Sequence, residues 1–375
     1  MKHDTLTIAA SGLSGSGESL RGPSLELDRF AQGALLADAW TRLERGATLP
    51  TQGLGFVTAL SRSLLAGTRL EVFIGRGAGG IRGLIPLCRG EGRWARWRLA
   101  GTCEIFEPGD ALCEDEAGAG ALAEALARDA GPVTLDRLPA SSALIPALRR
   151  AMRGRGLVSV RPAMASPFIR LDPSWQRAED HFNAGRRSDF RRAARRAAAI
   201  APVFHEVIVP ELSEFDRLFD EAVAIEQRGW KDRSGSAMAR DPAKEAFFRD
   251  WLRDACAQGS LRIAFLRIGQ QAVAMQMALV MANRFWLLKI GYDEAYGKCS
   301  PGNLLMLHTI GHAAREGLET YEMLGAMEPW IADLWTQERH ECLRLRTYPF
   351  SLAGLLALAQ DGREWLRGRL ARAPE

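Results

Sequence analysis

The sequence predicts an α/β protein of two tandem lobes, each a mixed, mainly antiparallel sheet flanked by helices. Three observations predict it. From Arg262 to Ala314, two apolar strands around Gly269-Gln270 lead to a third, Arg284 to Tyr292, and then to Lys298-Cys299-Ser300-Pro301-Gly302-Asn303, which opens a helix. The two halves share one order of elements: helices, an antiparallel strand pair, a further strand, a helix and a strand. The chain has 375 residues, 47% apolar and 25% charged, which is globular composition with length for two domains. The expected boundaries are a flexible tail over 1–22, a first lobe over 23–165 and a second over 166–375.

Taken in order, Leu27 to Leu43 and Phe56 to Leu65 read as helices. Leu70 to Ile74 and Ile81 to Leu87 read as strands joined by a Gly75 to Gly80 loop, with a further strand from Arg93 to Ala100. Gly118 to Asp129 is an Ala-rich helix, Val133 to Leu135 a short strand, Ala143 to Arg153 a helix, and Ser166 to Leu171 a strand. The second half continues with a helix over Glu179 to Ala199, a strand over Val203 to Val209 and a helix over Leu212 to Trp230. A polar loop, Lys231 to Arg240, precedes a helix from Pro242 to Gln258. After the three-strand run and the Ser300 helix come a short strand, Glu319 to Leu324, a last strand, Leu343 to Phe350, and a terminal helix, Leu352 to Leu370.

Composition excludes several classes. No run approaches the roughly 18 apolar residues of a membrane helix. The N-terminal apolar stretch is too short for a signal peptide, and Ser11 to Gly17 has linker composition. The six cysteines, at 88, 103, 113, 256, 299 and 342, show no CxxC spacing, so neither zinc nor a disulfide framework is expected, and the reading is a reducing cytoplasm. A net charge of +4 does not by itself demand a nucleic-acid partner.

The Ser300 start carries the first candidate site. Ser300 suits an N-cap and Pro301 the first helical position, and Gly302 keeps bulk away from the opening N–H groups. Such a start, with its partial positive charge, is a ready site for a pyrophosphate. Backbone N–H groups of Gly302, Asn303 and Leu304 are expected to face it. Gly75 to Gly80 fits GxGxxG, but a β-type run follows where the dinucleotide motif needs a helix, so a hairpin loop is the better reading. Arg186 to Arg196 holds six arginines in eleven residues: either a solvated helix face or a site for an anionic partner. His308 and His312 stand i, i+4, but Thr309 breaks HExxH, so no metal is expected and a core histidine is favoured. Trp94 and Trp97 alternate with arginines as in a half-buried strand.

Three patches carry a family resemblance. They are Arg186 to Arg196; Glu226-Gln227-Arg228-Gly229-Trp230-Lys231 with Gly235-Ser236-Ala237; and Gly291-Tyr292-Asp293 through Ser300-Pro301-Gly302, with Tyr321-Glu322 to Gly325 beyond. With them the chain resembles the GNAT superfamily of N-acetyltransferases, and more closely a two-lobed branch named for cellulose-biosynthesis-associated acetyltransferases, itself similar to the Fem-type aminoacyltransferases. The resemblance spans roughly residues 25 to 350. It implies two GNAT-like lobes packed as a pseudo-dimer, one of them degenerate, and acyl transfer from a thioester, usually acetyl-CoA, to an amine, with no metal. The chain departs where the family continues its late motif to an aromatic-Lys pair: the run here is Glu328-Pro329-Trp330-Ile331.

Amine acylation needs a group to take the nitrogen's proton, and Glu226, one helical turn before Trp230, is the first candidate. Glu322 and Tyr292 are the second, Tyr292 as donor to the departing thiolate, while Asp293 is equally read as a turn residue. Backbone around Lys289, Ile290 and Gly291 would hold the oxyanion. Cys299 abuts the helix start but has no base paired with it in sequence, so it is read as incidental. The expected function is an acyl-CoA-dependent N-acyltransferase acting on a small-molecule or saccharide amine, in polysaccharide or envelope metabolism. A Fem-type transferase using aminoacyl-tRNA is the alternative, with nucleic acid otherwise not expected. A non-catalytic partner of polysaccharide synthesis is a third reading, kept by Ile331.

Overall fold

The computed structural model describes residues 5–7, 35–92, 94–129, 131–229 and 238–370. Their contacts divide into two compact units: residues 1–165 with 341–375, and residues 166–340. Each has its own mixed sheet.

The first unit opens with β1 (Thr5–Thr7), a helix α1 (35–44) and α2 (Leu54–Arg62). The strands β2 (Arg69–Gly77) and β3 (Gly80–Arg89) form a hairpin. Then come β4 (Trp97–Leu99), β5 (Leu112–Cys113), α3 (Glu116–Asp129), β6 (Val133–Pro139), α4 (Leu144–Ala151) and β7 (Gly156–Pro162). Its core gathers Phe73, Leu87, Trp97, Leu122 and Leu126 between the sheet and α3.

The second unit runs β8 (Ser166–Arg170), a 3-10 turn (Pro173–His181), α5 (Ala184–Ala198), β9 (Val203–Ile208), α6 (Phe215–Gln227) and α7 (Pro242–Ala257). It continues with β10 (Leu261–Ile268), β11 (Gln271–Met281), β12 (Arg284–Tyr292), α8 (Pro301–Arg315), β13 (Thr320–Glu322), α9 (Pro329–Leu334) and β14 (Arg339–His340). Sheet order is β14-β8-β13-β12-β11-β10-β9, antiparallel except for β12 beside β13. Helix starts follow local chemistry: the Asn183 side chain accepts the Arg186 N–H at 2.9 Å, and Asp241 accepts those of Ala243 and Lys244 at 3.1 Å.

The chain then returns to the first unit as β15 (Cys342–Pro349) and α10 (Leu352–Leu370). β15 inserts between β6 and β7, giving the order β1-β2-β3-β4-β6-β15-β7 with β5 on β3. The expected second lobe of 166–375 is therefore too long, because the ladder partners of β15 lie in the first sheet. No described helix is long and apolar enough to cross a membrane.

Other expectations need correction. Thr5–Thr7, assigned to the tail, pair with Glu71 to Phe73 of β2, and the rest of 1–22 lies outside the described residues. The Gly75 to Gly80 loop shrinks to Ala78-Gly79, because both strands run on through the glycines. The strand expected from Arg93 contracts to Trp97–Leu99 (Arg93 is not described), and Trp94 stays 42% exposed while Trp97 is buried. The helix expected from Glu179 is interrupted at Phe182 and Asn183, both extended, and restarts at Ala184 behind the Asn183 cap. Strand β7 was not expected at all, since Gly154 and Gly156 at its start read as a loop. Residues 27–34 and 230–237, parts of an expected helix and loop, lie outside the described residues.

Candidate active site

The site grows from an irregularity in β12. Its register with β11 shifts between Met277–Lys289 and Ala278–Leu287, so Leu288 is an extra residue, a bulge. Its parallel pairing with β13 lasts three rungs and stops at Trp286–Glu322. Past β13 the chain turns off through Leu324 and Gly325, both with left-handed φ, 52° and 56°. No described strand flanks β12 on that side from Leu287 onward. α8 starts beside this opening, and a cavity of about 290 Å³ fills it. Its walls are Met275 and Gln276 of β11, Ile290 to Tyr292 of β12, Gly302, Asn303 and Met306 of α8, and Trp330 of α9.

A buried polar cluster fixes the wall. The Tyr321 hydroxyl, fully buried, donates to Gln276 Oε1 at 3.1 Å and shares a hydrogen bond with Thr309 at 3.0 Å. Burial pushes the Tyr321 hydroxyl well above its ordinary value of 10, so it stays protonated as a donor. Phe285 stacks on its ring at 4.8 Å. Satisfied buried networks of this kind rigidify what they touch.

The helix start differs from expectation. Ser300 adopts φ 44°, ψ 50°, and its hydroxyl makes no cap bond. Of the three N–H groups expected to face a phosphate, those of Asn303 and Leu304 donate to the Ser300 carbonyl, at 3.1 and 3.2 Å. Gly302 has no backbone acceptor among the described residues, and Leu304 is buried in the core behind the helix. A Cβ at Gly302 would meet nothing nearer than Tyr292 Cδ1 at 3.5 Å, so the start is open toward the cavity.

The three proposed catalytic residues part company. Tyr292 lines the cavity, its ring against Gly302. Glu226, buried on α6, backs β12 from the opposite face: a Cβ at Gly291 would meet Glu226 Cβ at 3.3 Å. One Glu226 oxygen accepts the Met238 N–H at 2.9 Å, while Trp230, its expected aromatic wall, lies outside the described residues. Glu322 is buried and engaged by Thr320 Oγ1 at 2.7 Å, His340 Nε2 at 2.9 Å and Arg284 at 3.4 Å. We therefore expect Glu322→Ala to lower stability by about 1–3 kcal/mol, the lower range for a buried carboxylate whose partners are part-exposed. Thermal unfolding with and without acetyl-CoA checks this, and a stable variant that has lost ligand binding would return Glu322 to the site.

Elsewhere, Lys289 turns away from the cavity, with its ammonium 4.4 Å from the Phe248 ring centroid. Asp293 is a turn residue: it caps Ala295 at 3.0 Å and pairs with Arg228 at 2.8 Å. Cys299 is buried in the core. His308 stacks on His205 at 4.9 Å, outside the cavity, and burial with the nearby His205 and Arg315 charges holds it down to about 4 from 6.5. Ile331, the residue at the departed family position, is buried in the core cluster, and its neighbour Trp330 reaches the cavity instead. Sequence reasoning missed Met275, Gln276, Met306 and Trp330. Only Trp330 left a signal, as the aromatic of the late motif.

Residues 184–330 match the family of the acetyltransferase (GNAT) domain. This covers most of the second unit and identifies it as an N-acyltransferase domain of the GNAT kind. No curated protein sequence matches the chain. The C-terminal domain of a candidate lysylphosphatidylglycerol synthetase from Agrobacterium fabrum shares the fold, with TM-score 0.52 at 13% identity over 86% of this chain and 93% of that one. A protein of unknown function from Bacteroides thetaiotaomicron gives TM-score 0.52 at 12% identity, over 83% and 95%. FemX gives 0.50 at 11% identity, over 80% and 91%. At these identities the likeness is one of fold, and it runs through both units.

Proposed function

We propose that the second unit moves an acyl group from a CoA thioester to an amine. The observation that carries this is the cavity between the end of β12 and the start of α8. A thioester arm laid in it would have Ile290 and Gly291 on one side and Gly302 with Asn303 at the helix start on the other. The helix start supplies partial positive charge for the donor's pyrophosphate.

The amine nitrogen attacks the thioester carbonyl, the C–S bond breaks, and the sulfur leaves as thiolate. On this reading Tyr292, which lines the cavity, protonates that sulfur, and Glu226, buried behind β12 at Gly291, receives the amine proton through water rather than by direct contact. Backbone of the bulged segment around Lys289 to Gly291 is the proposed oxyanion support. Tyr292→Phe should lower kcat about 100- to 10,000-fold with little change in KM for the donor, the range for one positioned proton donor. Unchanged kcat would remove Tyr292 from that role. The resemblance to polysaccharide-associated acetyltransferases supports a saccharide amine as acceptor.

Calorimetric titration with acetyl-CoA and desulfo-CoA tests the donor. Absence of saturable binding by either would sink the acyl-CoA reading. One observation favours a second reading. On α5, Arg186, Arg187, Arg191 and Arg195 have no acid partner among the described residues, as a tRNA-using enzyme would require. tRNA binding that weakens steeply with salt would support it.

A further inference from the structure

The first sheet carries a second concave site on the face turned away from its core. β15 and β7 pair antiparallel there, with Arg344 directly opposite Arg161 and Arg346 opposite Ser159. Strand alternation puts Arg344, Arg346 and Tyr348 on this face, while Leu343 and Leu345 turn into the core cluster. Two like charges directly across a ladder are destabilising. Asp136 meets Arg344 at 2.6 Å and Asp361 meets Arg346 at 2.9 Å, but Arg161 has no acid partner among the described residues. Asp361 is moreover shared, taking Arg96 at 2.7 Å and the Tyr348 hydroxyl at 2.6 Å. The Nε of Arg346 is buried with no hydrogen-bond partner among the described residues. A buried donor left without an acceptor costs free energy that a ligand oxygen would restore.

These groups border a cavity of about 560 Å³. Its far wall is α10, which presents Trp365, 48% exposed, with the Glu364 carboxylate at the rim 3.5 Å from Gln360. Guanidinium forks match phosphate oxygens in pairs. An indole face gives a flat ring a stacking surface. The geometry points to a binding site for an organic phosphate monoester that carries a planar ring, its phosphate among Arg161, Arg344 and Arg346 and its ring against Trp365. The site lies within the first unit and does not rest on the acyl-transfer reading.

The full chain is titrated by calorimetry with adenosine 5′-monophosphate, and with inorganic phosphate and adenosine separately. Saturable binding of the nucleotide, tighter than either fragment, is the expected result. Arg161→Ser and Trp365→Ala change exposed side chains, and each should weaken binding about tenfold, as for loss of one charge-assisted hydrogen bond or one stacked face. Gly302→Glu, in the second unit, should leave it unchanged. Nucleotide binding abolished by Gly302→Glu and untouched by Arg161→Ser would assign the anion to the second unit and overturn the proposal. So would the absence of saturable nucleotide binding at millimolar concentration.

Discussion

Replacing Gly302 with glutamate should weaken acetyl-CoA binding at least about a hundredfold, nearly 3 kcal/mol, while leaving the fold intact. The two effects separate because of where Gly302 sits. A Cβ there meets only Tyr292 Cδ1 at 3.5 Å, an ordinary contact, so the backbone need not move. A carboxylate in the first turn of α8 also faces the positive end of the helix, which favours it by about 0.3–1 kcal/mol. The same carboxylate enters the cavity walled by Gly302, Asn303 and Tyr292, where the donor's pyrophosphate would lie. It occupies the positive end of α8 and repels the incoming anion. Calorimetry measures the affinity, and a thermal melt shows whether the variant is folded. Gly302→Ala is the control: it adds the Cβ without charge and should bind within about threefold of the parent, since ordinary contact costs little. A folded Gly302→Glu protein that binds acetyl-CoA normally would move the donor away from α8.

The second unit was legible because its signals are local. The hairpin around Gly269 appears with its strands at Leu261–Ile268 and Gln271–Met281 as expected, and α8 begins at Pro301. What failed depends on partners distant in sequence. The pairing of β15 with β6 and β7 joins Leu345 to Leu135 and Val160, far apart along the chain, and nothing in β15 itself names those partners. The site shows the same limit. Tyr292 and Gly302, which flank the recognised turn, both line the cavity. Gln276 was missed, because in sequence it is one polar residue in an apolar strand, and its place becomes evident only when Tyr321 and Thr309 close around it. Ser300 misled in the opposite way. Its residue type suits a cap, but Ser300 also closes a 3-10 turn, Glu294–Cys299, and there it takes left-handed backbone and its hydroxyl makes no cap bond.

The GxGxxG run at Gly75 to Gly80 yields the largest expected effect on stability, and it comes from packing. Gly75 lies in β2 under α3, where an added Cβ would stand 2.3 Å from the Leu122 backbone nitrogen and 2.7 Å from its Cα. Gly118 meets the hairpin from the other side, its Cβ position 2.4 Å from the Arg82 carbonyl oxygen. Helix and sheet therefore touch through backbone, and no rotamer change can make room. Gly75→Val should cost at least about 3 kcal/mol, because α3 must lift off the sheet and uncover Leu122 and Leu126. The higher strand propensity of valine returns at most about 1 kcal/mol, so packing decides the sign. Gly79, in the same motif, has open space around its Cβ position and no left-handed backbone, so Gly79→Ala should be neutral within about 0.5 kcal/mol. Urea unfolding of both variants separates the accounts. Equal midpoints would mean that α3 does not sit on Gly75. A large loss confined to Gly75→Val would show that this glycine serves helix–sheet approach, the one requirement that a βαβ nucleotide loop and this ββα packing have in common.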